Sequence, residues 1–496
     1  MDRRGSIATP GNFPFYAAII VTVLATYSSP LTSIYAFSDD YPFLESALAN
    51  KVILVKYSFV LAGRPVLALL SGPVVEQLDN IGDLRFVRLI GILGIAALAC
   101  CFFKSLSSGV FEKLESALVA LVICTLPSFQ VIAAWASTAF FPYAALLAAA
   151  SWHFAERAQT RRIRSDFLIS WALLTLSFGI YQPAAMFFVF FFLISLLRDH
   201  PHLPGAPSRL LVPSVILALA LLAGYAFAVL GPFSLIGITR TDRSALSGDL
   251  LGKVAWFLRE PLVNALNFHN IYSMELVAVA TGASMIYALV RYWNQSALEG
   301  VSFLFLCMVL LPVAYLPNLA VTENWASYRS LPVLSALTAL YGALSIKGLM
   351  RSLRPKLQNP FLKASLIAAA LISTVVASRT VQDYFVVPQT AELAVFQALV
   401  RESPVHPHGR VIFIPPTWEQ HLAPGVRYDE FGLPSTSKPW VPEAMYRILQ
   451  RSGTASPAVF LLQDSQTQLE VRQEDVIIDM KTALRKKKVE PAGSTP

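Results

Sequence analysis

The sequence predicts a polytopic α-helical membrane protein with about eleven transmembrane helices and a small C-terminal extracytoplasmic α/β domain. Composition is the first reason: 55% of residues are hydrophobic and only 14% are charged, and the mean hydropathy of +0.56 lies far from the balance of a soluble domain. Apolar runs of the length needed for a hydrocarbon core of roughly 30 Å recur along the chain, which is the second. The third is the placement of Lys and Arg in short loops between those runs, as membrane orientation requires.

The apolar runs lie near 13–31, 86–103, 114–132, 138–155, 166–180, 183–197, 210–230, 274–292, 299–317, 329–346 and 362–380. Arg3 and Arg4 precede the first, which has no small-residue cleavage site before Pro30, so it reads as an uncleaved helix with a cytoplasmic N-terminus. Counting spans from there puts Lys104/Lys113, Arg157/Arg161/Arg162/Arg164, Arg198/Arg209, Arg291 and the run Lys347 to Lys363 on the inside. That agreement requires 61–78, LAGRPVLALLSGPVVEQL, to be an interfacial or re-entrant helix, since a full span would move the Arg157–Arg164 cluster outside.

Residues 1–380 therefore form the transmembrane domain, with a first outer loop at 32–85, a short one at 133–137, a turn at Tyr181 and Gln182, a cover loop at 231–273 and another outer loop at 318–328. Residues 381–484 form the outer α/β domain, with strands at 409–415, 458–463 and 474–480. The polar tail 485–496 reads as disordered.

Several function classes are excluded. The net charge of +8 is spread over loops between apolar runs, which is not a nucleic-acid footprint. Cys100, Cys101, Cys124 and Cys307 all lie in apolar stretches and form no CxxC pair. His406/His408 and His200/His202 have no third ligand nearby, so no metal site is assigned. Walker loop, dinucleotide fingerprint and GxSxG elbow are all missing.

The residues richest in chemistry are Asp39 and Asp40, in FSDDYPFLESAL just beyond the first helix. Two adjacent carboxylates at a membrane surface are costly without a task. One suits general-base work on a hydroxyl while its neighbour orients it or tunes its pKa; a solvated turn or helix cap accounts for the same pair. Tyr41, Pro42 and Glu45 follow, and then a long loop with Gly63-Arg64-Pro65.

With SDDYPF at 38–43, GRP at 63–65 and GIYQPA at 179–184, the chain resembles the GT-C superfamily of membrane glycosyltransferases over about 1–380. Within that superfamily it is most similar to the bacterial Gtr-type glucosyltransferases that decorate O-antigen and related envelope glycans. The resemblance implies a bacterial cytoplasmic-membrane enzyme with a periplasmic C-terminal domain. It would transfer a hexose, glucose above others, from a polyprenyl phosphate to an extracytoplasmic glycan, with Asp39 or Asp40 as base. The leaving lipid phosphate needs cationic partners, and arginine matches phosphate oxygens bidentately.

On the outer face those partners are Arg64, Arg240, Arg243, Arg259 and Arg329. Arg240 and Arg243 read equally as solvated loop charges, and Arg329, beside Glu323, Asn324 and Trp325, as a local ion pair or snorkelling anchor. Sugar and acceptor contacts fall to Tyr41, Tyr181, Gln182 and Glu323. Tyr181 and Gln182 before Pro183 also read as a plain helix turn. Trp135 and Tyr143 suit either sugar stacking or the interfacial aromatic belt. Relatives often carry a further acidic residue in the second outer loop. None stands between Pro127 and Pro142 here, which leaves a divalent cation (Mg or Mn) open.

Two other functions compete with hexose transfer. A polymerase or ligase of lipid-linked oligosaccharides would depend less on Asp39 and Asp40. A transporter of lipid-linked sugars would carry ionisable residues deep within its helices.

Overall fold

The structure is a computed structural model that describes residues 10–198, 207–236, 245–269, 281–287, 289, 297–350, 355–402, 410–425, 429–450, 459–463, 472 and 475–489. It is a helical membrane body with a small parallel sheet near the C-terminus. Among the described residues four helices are long and apolar enough to cross a membrane: Ile81–Leu106, Leu210–Leu230, Pro332–Met350 and Lys356–Glu402. Lys113–Cys124 and Pro127–Ala134, bent by 62° at their break, make a fifth if they count as one span.

Among the described residues the expected number of about eleven is not confirmed, because several apolar runs are shortened or broken. Phe13–Thr26, Gln182–Arg198 and Leu304–Ala314 are apolar but fall in the shorter class of 10–17 residues. Most of 274–292 lies outside the described residues. Val52–Leu61 and Pro65–Val75 hold 10 and 11 residues. At 1.5 Å per residue they reach only about 17 Å, too short to span the core.

Small polar residues bring the helices close. Ser151 Oγ donates to Ser170 O at 2.8 Å and Ser177 Oγ to Ala144 O at 2.7 Å, which pins the Phe141–Arg161 helix against Arg164–Ile180. Without a hydrophobic force between lipid-immersed helices, such close approach and buried hydroxyl bonds carry the association.

The basic loops meet at one end of the body. Lys347 Nζ donates to Val110 O at 2.8 Å, Lys363 pairs with Glu112 at 2.8 Å, and Arg198 pairs with Glu156. Asp39, Arg64, Gln182 and Arg329 lie at the other end with the C-terminal residues, where Trp440 reaches Asp39 and Glu430 faces Arg329.

Strands β1 (Arg410–Ile414), β2 (Val459–Leu462) and β3 (Val476–Asp479) pair in parallel in the order β2-β1-β3. All three lie within the runs 409–415, 458–463 and 474–480 that read as strands. The boundary drawn at 380 falls inside a helical run that continues from Pro355 through a π turn at Gln382–Val386 to Glu402, so the helical body and the C-terminal region share one rod. The tail expected from 485 also begins in a helix, Met480–Val489, anchored by buried Met480 and Leu484; 490–496 lies outside the described residues.

Candidate active site

The two adjacent aspartates have different surroundings. Asp40 is buried, and its carboxylate accepts from Ser137 N at 2.9 Å, Phe37 N at 3.2 Å and Ala136 N at 3.4 Å. The equally buried Arg88 lies 3.6 Å away. Arg88 donates to Tyr35 O at 2.6 Å, Ala134 O at 3.2 Å and Pro30 O at 3.5 Å, and its guanidinium stacks 3.7 Å from the Tyr35 ring centroid. Burial pushes the Asp40 carboxyl up to about 6, with Arg88 and the three amides pulling it down. In this geometry Asp40 and Arg88 staple the 32–85 loop to the 133–137 loop, and the carboxylate is fully buried.

Asp39 is half-buried at the start of the Asp40–Leu48 helix, and its Oδ1 accepts from Trp440 Nε1 at 2.9 Å. Beyond it lies an acidic pair from the C-terminal region. Asp429, with a left-handed φ of 68° that Asp tolerates, accepts on Oδ2 from Ser327 Oγ at 2.7 Å and Tyr328 N at 2.9 Å. Glu430 is buried, its Oε1 stands 4.0 Å from Arg329 Nη2, and its Oε2 has no hydrogen-bond partner among the described residues. Burial and then Asp429 push Glu430 up to about 7, Arg329 and Lys438 oppose that, and Asp39 adds to it. Asp39, Glu430 and Arg329 therefore form one electrostatic group.

Arg329 is held flat between two indoles, 4.4 Å from the Trp325 centroid and 4.6 Å from that of Trp135. It marks the edge of a cavity of about 660 Å³. Arg64, Tyr181, Gln182, Glu323, Trp325 and Arg329 line its polar end, and Leu221, Leu222, Tyr225 and Ala228 of the Pro207–Ile236 helix line its apolar side. Gln182 Nε2 donates to Gly63 O at 2.7 Å and Tyr181 Oη to Arg329 O at 3.0 Å, so the Tyr181-Gln182 turn ties the two arginine loops together. Arg64 lies over the Tyr181 ring at 4.8 Å.

Gly63 is required here: its φ is 71°, and a Cβ would come within 2.8 Å of Ala228 Cα. The described part of the cover loop closes another side. Thr322 N donates to Ala245 O at 2.8 Å, and Lys253 Nζ donates to Asn324 Oδ1 at 2.6 Å and to Glu323 O at 3.0 Å.

Five expected residues thus meet in one cavity: Arg64, Tyr181, Gln182, Glu323 and Arg329. Tyr41 does not join them, because its ring is buried in the core behind Asp40. Arg259 is exposed and off the cavity lining, and Arg240 and Arg243 lie outside the described residues. His200, His202, His406 and His408 lie outside them as well. Trp135 is buried, with Arg329 over one face and Phe37 at right angles to it, and Tyr143 Oη donates to Ile90 O at 3.0 Å. Among the described residues no cluster of metal-ligating side chains occurs.

Sequence reasoning missed Arg88, Asp429, Glu430, Lys438 and Trp440. Arg88 carried a signal, a charge inside an apolar run. Asp429-Glu430 repeated the acidic-pair signal of the first loop.

No family model and no curated protein matches the chain. Solved structures of the Archaeoglobus fulgidus oligosaccharyltransferase resemble it at low score. The complex with zinc and sulfate gives a TM-score of 0.43 at 13% identity, covering 81% of this chain and 60% of that one. The complex with an inhibitory peptide and a dolichol-phosphate gives 0.42 at 12%, covering 82% and 62%. The form tethered to an acceptor peptide containing the NVT sequon gives 0.43 at 13%, covering 89% and 63%. The chain spans about 60% of the length of those structures, and their activity is not carried over to it.

Proposed function

We propose that this protein is a GT-C-type membrane glycosyltransferase that moves a hexose from a polyprenyl-phosphate donor to an extracytoplasmic glycan of a bacterial envelope, with glucose and O-antigen the first sugar and acceptor to test. One observation carries the reading. The cavity has an apolar side on a membrane-crossing helix and a polar end with two arginines, Arg64 and Arg329. An amphiphile with a long hydrocarbon chain and an anionic head matches that lining, the phosphate resting on the arginines and the chain running along Leu221, Leu222 and Tyr225.

The chemistry is a displacement at the anomeric carbon. Asp39 takes the proton from the acceptor hydroxyl, whose oxygen bonds to that carbon. The carbon–oxygen bond to phosphate breaks, and its electron pair leaves on the lipid phosphate, where Arg64 and Arg329 meet the growing charge. Asp39 is assigned the base because Asp40 is saturated with donors; Asp40 positions it from the next residue. Tyr181, Gln182 and Glu323 offer hydrogen bonds to the sugar, and the 245–269 segment closes over the donor. The basic end then faces the cytoplasm and the C-terminal domain the periplasm.

A transporter fits less well, since the deeply buried charges Asp40 and Arg88 are locked to backbone amides and carbonyls rather than aligned along a path. The test is glycan transfer by purified protein with a polyprenyl-phosphate glucose donor. Asp39→Asn is expected to abolish turnover while donor still binds, and Asp40→Asn to reduce the yield of folded protein. Undiminished transfer by Asp39→Asn would remove the base and reopen the polymerase and transporter readings.

A further inference from the structure

At the basic end of the body a second cavity, of about 930 Å³, opens between the Phe141–Arg161, Arg164–Ile180, Phe187–Arg198 and Pro207–Ile236 helices. Five arginines line it, at 157, 161, 162, 164 and 198. Two are neutralised within the protein, Arg157 by Asp166 at 3.2 Å and Arg198 by Glu156. Arg161, Arg162 and Arg164 make no ion pair among the described residues, and they share one tight turn in which Arg162 adopts a left-handed φ of 55°. The opposite wall is apolar, with Trp152, Phe167 and Leu211.

This cavity is separate from the donor site. Both touch the Pro207–Ile236 helix, one at Leu211 and Val212 and the other from Ala218 to Ala228 with its polar end beyond. The 13 steps from Val212 to Tyr225 correspond to about 20 Å of helix axis. The Arg164–Ile180 helix repeats the offset, with Arg164 and Phe167 at one cavity and Phe178 and Tyr181 at the other. The two cavities therefore lie toward opposite ends of these helices.

We infer that this second cavity binds the phosphodiester headgroup of an anionic phospholipid from the leaflet at the basic end. The unpaired arginine turn supplies the charge, and the aromatic and leucine wall accommodates the glycerol and the first acyl carbons. Arg161, Arg162 and Arg164 are exposed at the mouth of this open cleft, and a basic loop that only sets orientation needs no apolar wall beside its charges. This inference stands apart from the transferase reading and does not depend on it.

The test uses the full chain in detergent, titrated with phosphatidylglycerol or phosphatidylcholine and followed by native mass spectrometry. Phosphatidylglycerol is expected to be retained preferentially. Arg161→Gln with Arg164→Gln should lower that preference on the order of 30-fold, whereas the charge-matched Arg485→Gln with Lys486→Gln should leave it unchanged. Arg164→Gln alone serves if the double variant fails to fold, and should give a partial loss.

Equal retention of the two lipids would overturn the inference. So would an equal loss in the control variant, which would mean unspecific attraction. Displacement by soluble glycerol phosphate as readily as by the intact lipid would also overturn it, since that would mark a free-phosphate site.

Discussion

Replacing Glu430 by Gln probes whether the C-terminal segment controls the charge that Arg329 offers to the donor phosphate. Burial and Asp429 push Glu430 up to about 7, so it changes charge near neutral pH. Its Oε1 lies 4.0 Å from Arg329 Nη2. A unit pair at that separation is worth roughly 4 kcal/mol at an effective dielectric of about 20, which caps the effect. Even a third of it, about 1.4 kcal/mol, is a factor of about ten in affinity.

Below the transition the carboxyl is neutral and Arg329 is available to phosphate; above it the carboxylate competes. Binding of a polyprenyl phosphosugar should therefore weaken about tenfold in the wild type as pH rises from about 5.5 to about 8.5. Glu430→Gln should hold the low-pH affinity throughout. The probe is a phosphodiester, so its own charge does not change across that range, unlike a phosphomonoester with a second pKa near 6.

Stability moves the same way. A carboxyl raised from its ordinary 4.5 to about 7 contributes stability that is complete below about 4.5 and lost as pH passes through about 7. The wild type should thus melt lower, relative to Glu430→Gln, as pH climbs through that window, by at most about 3 kcal/mol. Parallel affinity curves for the two proteins would refute the coupling of Glu430 to Arg329.

Three further outcomes follow from named contacts. Asp40→Asn or Arg88→Gln leaves a buried partner uncompensated and should cost about 3–5 kcal/mol, read as a lowered melting temperature in detergent, with the double variant less damaged than the sum. Gly63→Ala forces an L side chain into a left-handed backbone against Ala228 and should shift Arg64, weakening donor binding about tenfold and costing about 1–2 kcal/mol of stability, read as a lowered melting temperature. Trp440→Phe keeps the ring but removes the donor to Asp39. It should lower kcat about tenfold or more with donor affinity preserved, since hydrogen bonds to charged groups are worth about 1.5–3 kcal/mol.

Much of this was legible in the sequence where the physics is local. The three strands announced themselves by short β-rich runs, and five cavity residues by polar or cationic character at the outer ends of apolar runs. What separates Asp39 from Asp40 was not local. Asp40 is distinguished by amides of Ala136 and Ser137 and by Arg88, partners 48 to 97 positions away. Asp429 and Glu430 look like any solvated acidic turn until Ser327, Tyr328 and Arg329 are folded against them. Helix count suffered for another reason: hydropathy registers apolar length but not the 62° bend between Cys124 and Pro127.

The C-terminal region does more than sit on the helical body. Helix Val387–Glu402 continues the rod that begins at Pro355. From it Glu392 accepts the amides of Ser435 at 2.9 Å and Thr436 at 2.8 Å, and Gln389 accepts from Ser435 Oγ at 2.6 Å. Ser435 Oγ in turn accepts from Ser38 N at 2.9 Å, immediately before Asp39, while Arg447 reaches Glu45 at 3.1 Å. Asp429 meanwhile holds Ser327 and Tyr328, immediately before Arg329. One stretch of the domain thus fixes the carboxylate assigned as base and the arginine assigned to the leaving phosphate. A membrane-surface site needs such bracing, because outer loops that must admit an acceptor cannot also be packed rigidly by helices from below.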